Sequence, residues 1–175
     1  MIGLLTKREW DPQHKLWALN LDLFLYAKNP YNHLLRLVVN SGSPGRQNFR
    51  TLADQHIGEL EPVPEGVYQP GPLEAASGNL KDYFRRFPEI DSPIWQVIYR
   101  ARAIGFHLDG NRAWAPGSAG CVVFRSLADC RSYTELFLAD PFRLKELYVD
   151  WGLGSIVNPF EAIMPKDSLK RPMDL

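Results

Sequence analysis

The chain has 175 residues, 20 Lys and Arg against 20 Asp and Glu, a formal net charge of zero and an apolar fraction of 45%. That length suits one domain spanning residues 1–175, with a core that needs no disulfide or metal staple. The charge balance excludes capture of nucleic acid or anionic lipid by a basic surface. The short mixed runs Lys81-Asp82 and Arg85-Arg86 read as a solvated helix face.

Fourteen prolines and thirteen glycines make the chain rich in turns and favour a β-containing fold over a helical bundle. Met1 to Leu5 is apolar but is cut off by Lys7, Arg8 and Glu9, unlike a secretory leader. In Trp17 to Tyr26, Leu19, Leu21, Leu23 and Leu25 alternate with Asn20, Asp22 and Phe24, which is strand periodicity. Lys28 to Asn32 is turn chemistry. Leu34 to Val39 reads as the returning strand of a hairpin, followed by a loop over Asn40 to Gly45. Glu61 to Tyr68 reads as a loop entering a short strand. Leu73 to Arg86 reads as a helix with Leu80, Tyr83 and Phe84 on one face. Ile94 to Ala103 is β-branched and aromatic, a strand or a helix–strand junction, with Ile104 to His107 continuing as extended chain. Asp109-Gly110-Asn111 is a tight turn and Cys121 to Phe124 a short buried strand. Ser126 to Leu138 reads as a helix, with Ser126 as N-cap and Asp129 three residues on. Pro141 to Tyr148 reads as a second, shorter helix. Residues 158–175, with three prolines, read as an irregular tail. The fold class expected is mostly β with a few helices (α+β). No run approaches the ~20 apolar residues that span a bilayer.

The chemistry gathers around Cys121. It stands in Ser118-Ala119-Gly120-Cys121, fourteen residues after His107. A cysteine nucleophile needs a base or cation that raises its thiolate fraction, amides aimed at the developing oxyanion, and access. Gly117 and Gly120 let the backbone take turns that expose amides. The bland reading is a small core cysteine beside a hydrogen-bonded histidine. A core cysteine, however, needs neither two flanking glycines nor a serine. Two cysteines make no disulfide framework, and pairing of Cys121 with Cys130 stays open. A zinc set of His107, Asp109, Cys121 and Cys130 lacks any Cys-x-x-Cys or His-x-x-x-His pair, so no metal or other cofactor is expected. His14, His33 and His56 read as surface or loop histidines.

The stretch His107 to Cys121 resembles the catalytic motif of L,D-transpeptidase (YkuD-like) domains, a histidine followed after a loop by Ser-x-Gly-Cys. Three further segments match in the family's order. Leu16 to Tyr26 is similar to its opening strand, Val38 to Gly45 to the strand and loop ending in Ser/Thr-Gly, and Pro62 to Tyr68 to its Thr-Pro-x-Gly-x-Phe/Tyr element. The resemblance covers about Leu16 to Leu138. It implies an L,D-transpeptidase-like β-sandwich or barrel in which residues 73–102 are an insertion or lid. It also implies cysteine-dependent acyl transfer or hydrolysis on peptidoglycan stem peptides. Cys121 becomes the nucleophile, His107 the base and then acid, the amides of Gly120 and Cys121 the oxyanion donors, and Ser118 a supporting hydrogen-bond group. Asp109 is either an orienting partner of His107 or independent of it. Arg125, Arg112, Asn111, Trp114 and Tyr68 are the implied substrate-binding residues. The sequence departs from the family at Leu108, where glycine is usual after the histidine, at Ala119, where one version has a second histidine, and at Val123, where arginine is usual. Arg125 or Arg112 is then the substitute cation. The expected partner is peptidoglycan, with no nucleic acid. The expected setting is a chain made in the cytoplasm that acts at the wall when delivered by lysis, a virion or a secretion system. The alternative is a wall-binding or structural component of a phage tail or similar assembly. A papain-like hydrolase fits less well, since those enzymes place cysteine before histidine.

Overall fold

The computed structural model describes residues 1–25, 32–54, 59–90, 93–141 and 143–160. Ile2–Asp11 (β1) and Leu16–Leu25 (β2) form an antiparallel hairpin, and Asn32–Ser41 (β3) returns along β2. The leucine alternation does what its period of two dictates. Leu19, Leu21 and Leu23 are buried with Leu37 and Val39 of β3 in one core. The turn predicted at 28–32 lies outside the described residues, apart from Asn32.

β1 was hidden in sequence by its charged half. Ile2, Leu4 and Leu5 are buried, whereas Lys7 to Trp10 are exposed. The chain goes on to Gly66–Tyr68 (β4), Leu73–Ala75 (β5), helix Gly78–Phe84 (α1), Ile94–Tyr99 (β6), a 3-10 turn at Arg100–Arg102, Ile104–Leu108 (β7), Val122–Phe124 (β8), helix Leu127–Glu135 (α2) and Glu146–Asp150 (β9). These strands make one mixed nine-stranded sheet in the order β4-β9-β1-β2-β3-β8-β7-β6-β5. The protein is therefore mostly β with two helices among the described residues.

The sheet curls until its ends meet. Gly71, between β4 and β5, donates to Val97 O of β6 at 2.8 Å, and the rings of Tyr68 and Tyr99 lie 5.7 Å apart. Inside the curl, Tyr133 of α2 packs on Phe106, Phe124 and Phe137, and its hydroxyl donates to Gln96 Oε1.

Three expectations need correction. Where a helix was expected over Pro141 to Tyr148, Glu146–Asp150 is strand β9, parallel to β1. Leu147 and Val149 are buried while Glu146, Tyr148 and Asp150 are half-buried, a period of two that the preceding proline masked. The helix predicted from Leu73 begins only at Gly78, because Leu73 to Ala75 pairs with β6. Ile104 to His107 does not continue β6. Ala103 takes a left-handed conformation (φ 51°) after the 3-10 turn, and β7 runs back antiparallel to β6. The cap at Ser126 stands as expected, its Oγ accepting the Asp129 amide at 3.0 Å. Of the tail, Phe160 is buried and stacks on Phe24 at 4.2 Å; residues 161–175 lie outside the described set. No helix among the described residues is long and apolar enough to cross a membrane.

Glu65, buried just before β4, closes the loop after β9. It accepts the amides of Trp151, Leu153 and Ser155 and the Ser155 hydroxyl, all at 2.7–2.9 Å. Burial opposes its charge, but these donors outweigh it and hold the carboxyl below its ordinary value of 4.5. Glu65→Ala is expected to cost about 3 kcal/mol, read as a lower urea midpoint. Because the folded value is depressed, that contribution is present above the ordinary value and fades as pH falls through the folded one. A mutant penalty that stays constant down to low pH contradicts this.

Candidate functional site

Three loops meet under Cys121. Ser41, the last residue of β3, is buried; its Oγ donates to Gly120 O at 2.9 Å and accepts the Val63 amide at 2.9 Å. Gly42 O accepts the Ser118 amide at 2.9 Å, and Ser43 Oγ donates to Ser118 O at 2.8 Å. Ser118 closes the turn on itself, its Oγ donating to Cys121 O and accepting the Gly120 amide. Gly42 (φ 75°) can only be glycine, since a Cβ there would lie 2.7 Å from Pro62 N. Gly117 (φ 97°) faces Gly42 O in the same way. The segments Ser41-Gly42-Ser43, Glu61-Pro62-Val63 and Gly117 to Cys121 thus form one hydrogen-bonded frame. Ser41→Ala strands a buried amide and a buried carbonyl, and about 2 kcal/mol of stability should go with it. An unchanged thermal midpoint would show that the frame does not depend on Ser41.

The sheet sets the strand that carries His107 beside the strand that Cys121 leads into. β7 and β8 are parallel, with Phe106 opposite Val122 and His107 opposite Val123. Extended by one residue, that register sets Gly105 beside Cys121, two residues from His107. The thiol is half-buried, lies 3.8 Å from Ala103 O, and is approached by the Gly105 amide. Burial raises its pKa, and that amide opposes the shift. His107 is buried, and its Nδ1 lies 2.8 Å from Leu108 O. Burial pushes its pKa down to about 4, against the effect of that carbonyl, so the ring is neutral at pH 7. The imidazole and the thiol make no hydrogen bond to each other among the described contacts. What covers the histidine is aromatic: the rings of Trp95, Tyr83 and Phe84 stand 6.0, 6.3 and 6.1 Å from it. Trp95 also lies over Gly105, where a Cβ would come within 2.6 Å of the indole.

The remaining predicted residues divide. Asp109 does not orient His107; its Oδ2 accepts the Gly117 amide at 2.9 Å and faces Arg112 at 3.6 Å. Arg112 donates to Asn40 Oδ1 at 2.7 Å, and Asn40 pairs across the sheet with Val123. Its guanidinium is thus held beside the residue two after the cysteine. Arg125 is close enough to depress the Arg112 pKa, after burial. Asn111 ties the loop to α1, its Oδ1 accepting the Tyr83 hydroxyl at 2.7 Å. Trp114 is 71% exposed and stacks on Phe87 at 5.9 Å. Tyr68 falls outside the site. It is buried in the core, and its hydroxyl is spent on Pro64 O at 2.6 Å. The Gly120 amide, expected as an oxyanion donor, is already taken by Ser118 Oγ at 3.2 Å. Both cysteines are free thiols. His33 belongs to β3 rather than a loop and bonds buried Asp22 at 2.7 Å beside Arg36. His56 lies outside the described residues.

The residues missed from sequence are Trp95, Asn40 and Tyr83. Asn40 carried a usable signal, a polar residue on the end of an apolar strand just before Ser-Gly. Trp95 carried none, because its role comes from pairing with a distant strand. Among the described residues, no group of three or more His, Cys, Asp or Glu side chains is close enough to hold a metal ion. Comparison with protein-family models, with curated proteins and with solved structures found no match for the chain.

Proposed function

We propose that the protein is a cysteine acyltransferase or peptidase of the L,D-transpeptidase type, acting on peptidoglycan stem peptides. The observation that carries this reading is the frame around Cys121. The His107 to Cys121 stretch and two of the other segments that resemble the family, Val38 to Gly45 and Pro62 to Tyr68, are hydrogen-bonded to one another, and the strand that carries His107 pairs with the strand that Cys121 leads into.

In this reading Cys121 Sγ attacks the carbonyl of a diamino acid that is linked to a D-amino acid. His107 is neutral at working pH, so it can take the thiol proton as attack proceeds and return it to the departing amine. The C–N bond breaks, the D-amino acid leaves, and a thioester remains on Cys121. An incoming amine then gives transpeptidation, and water gives hydrolysis. Arg112 supplies the cation that the family draws from the position of Val123, and its place on Asn40 suits a substrate carboxylate. Trp95 and α1, both within residues 73–102, act as the cover that parts for substrate. Action at the wall follows delivery by lysis, in a virion or through a secretion system.

One set of observations favours a second reading, a wall-binding module without catalysis. The thiol is not lowered in pKa, the imidazole does not touch it, and aromatic rings cover the histidine. Digestion of purified sacculi separates the two. Release or rearrangement of muropeptides at L,D bonds, identified by mass spectrometry, supports catalysis. Retention on sacculi with an unchanged muropeptide profile supports binding alone.

A further inference from the structure

We infer that Asp109 is a positioning residue that sets both the Cys121 loop and the Arg112 cation; the inference rests on the catalytic reading of Cys121. Asp109 follows β7 at the point where the chain leaves the sheet. Its amide donates to Phe124 O at 3.0 Å, tying it to the end of β8. Its Oδ2 accepts the amide of Gly117, the residue at which the loop re-enters the frame beneath the cysteine. From Gly117 the path is short. Ser118 follows, and its hydroxyl holds the Gly120 amide and the Cys121 carbonyl. On its other side the same carboxylate faces Arg112, which reaches Asn40 beside Val123.

The arrangement is a costly one. The Asp109 side chain is fully buried, and Oδ1 is the one buried side-chain nitrogen or oxygen among the described residues with no hydrogen-bond partner. A half-satisfied buried carboxylate is worse for stability than a neutral amide of the same shape. An asparagine could accept from Gly117 equally well. What asparagine lacks is the charge that fixes the Arg112 guanidinium, so the residue is better suited to the site than to the fold.

The charged and titratable groups facing this carboxyl are Arg112 on its own loop and the Tyr83 hydroxyl from α1. Arg112 in turn faces Arg125 and Asp11. Burial pushes the Asp109 carboxyl up to about 6, against the Gly117 amide and Arg112. A raised carboxyl means the native state holds a proton that the unfolded chain has released. Stability is then highest below the ordinary value of 3.8 and falls as pH rises through about 6.

The test is Asp109→Asn in the full chain, read by melting, turnover and the pH profile of the rate, with Asp109→Ala read by alkylation of Cys121. Asp109→Asn should melt about 4 °C above the wild type at pH 8, with the gap closing towards pH 4. Its turnover of a stem tetrapeptide should fall about tenfold in kcat/KM. The acid limb of the rate profile should move from about 6, where Asp109 titrates, towards about 4, where His107 does. Asp109→Ala, which also removes the acceptor for the Gly117 amide, should change the alkylation rate of Cys121 by iodoacetamide at pH 8 about threefold, with no turnover required for that measurement. An Asp109→Asn variant that is less stable than the wild type at pH 8 or has an unchanged pH profile, or an Asp109→Ala variant with unchanged alkylation of Cys121, overturns the inference. A wild type without turnover, whose melting and alkylation nevertheless respond as described, leaves the positioning intact and removes the catalytic reading instead.

Discussion

Cys121→Ala is expected to lower turnover of stem peptides by about 10⁴-fold or more, because no other group supplies the attacking atom. The fold should survive it. The loop around Cys121 is held by Ser41, Ser43, Ser118 and Gly42 through backbone groups, none of which uses the thiol. The thiol's own contact to Ala103 O is long. The thermal midpoint should therefore change by the equivalent of about 1 kcal/mol or less. Circular dichroism melts alongside product assays by mass spectrometry separate the two effects. Product formation at the wild-type rate in Cys121→Ala excludes this residue as nucleophile.

His107→Gln should cost about 10²–10⁴-fold in kcat, the range for a lost general base. Glutamine is the better replacement than alanine, since His107 is buried among Trp95, Tyr83 and Phe84 and a cavity there would confuse folding with catalysis. The pH dependence gives a second handle. Burial holds the imidazole near 4, so protonation of His107 should not limit the rate until pH falls towards that value. If His107→Gln loses less than threefold in kcat, or loses it only through KM, the imidazole is packing material rather than a base.

Where a single local signal set the structure, the sequence was readable. Leucine alternation gave β2, the apolar run of Leu34 to Val39 gave its returning strand β3, and Ser126 with Asp129 gave the start of α2. The Gly-Ser-Ala-Gly turn before Cys121 was legible because glycines at positive φ have few other uses. What stayed hidden was set by distant partners. β9 has a period of two only over Glu146 to Asp150, too short to set against the helix reading of Pro141 to Tyr148 until β1 and β4 flank it. Sequence leaves the role of Asp109 open between orienting His107 and independence, because two residues along a strand bring side chains to one face. The chain leaves β7 just at Asp109, which turns its carboxyl to Gly117 and Arg112 instead. The resemblance names Arg112 as a substrate-binding residue and a substitute cation; its place beside Val123 depends on Asn40, which no local pattern connects to it.

The most direct measurement is intact-mass analysis of the protein quenched within milliseconds of mixing with a soluble muropeptide carrying a tetrapeptide stem. The expected result is a transient mass increase equal to the substrate less its terminal D-amino acid, mapped to Cys121 by peptide fragmentation and missing in Cys121→Ala. Product release with no adduct on Cys121 at any quench time, or a muropeptide returned unchanged, contradicts acyl transfer through this cysteine.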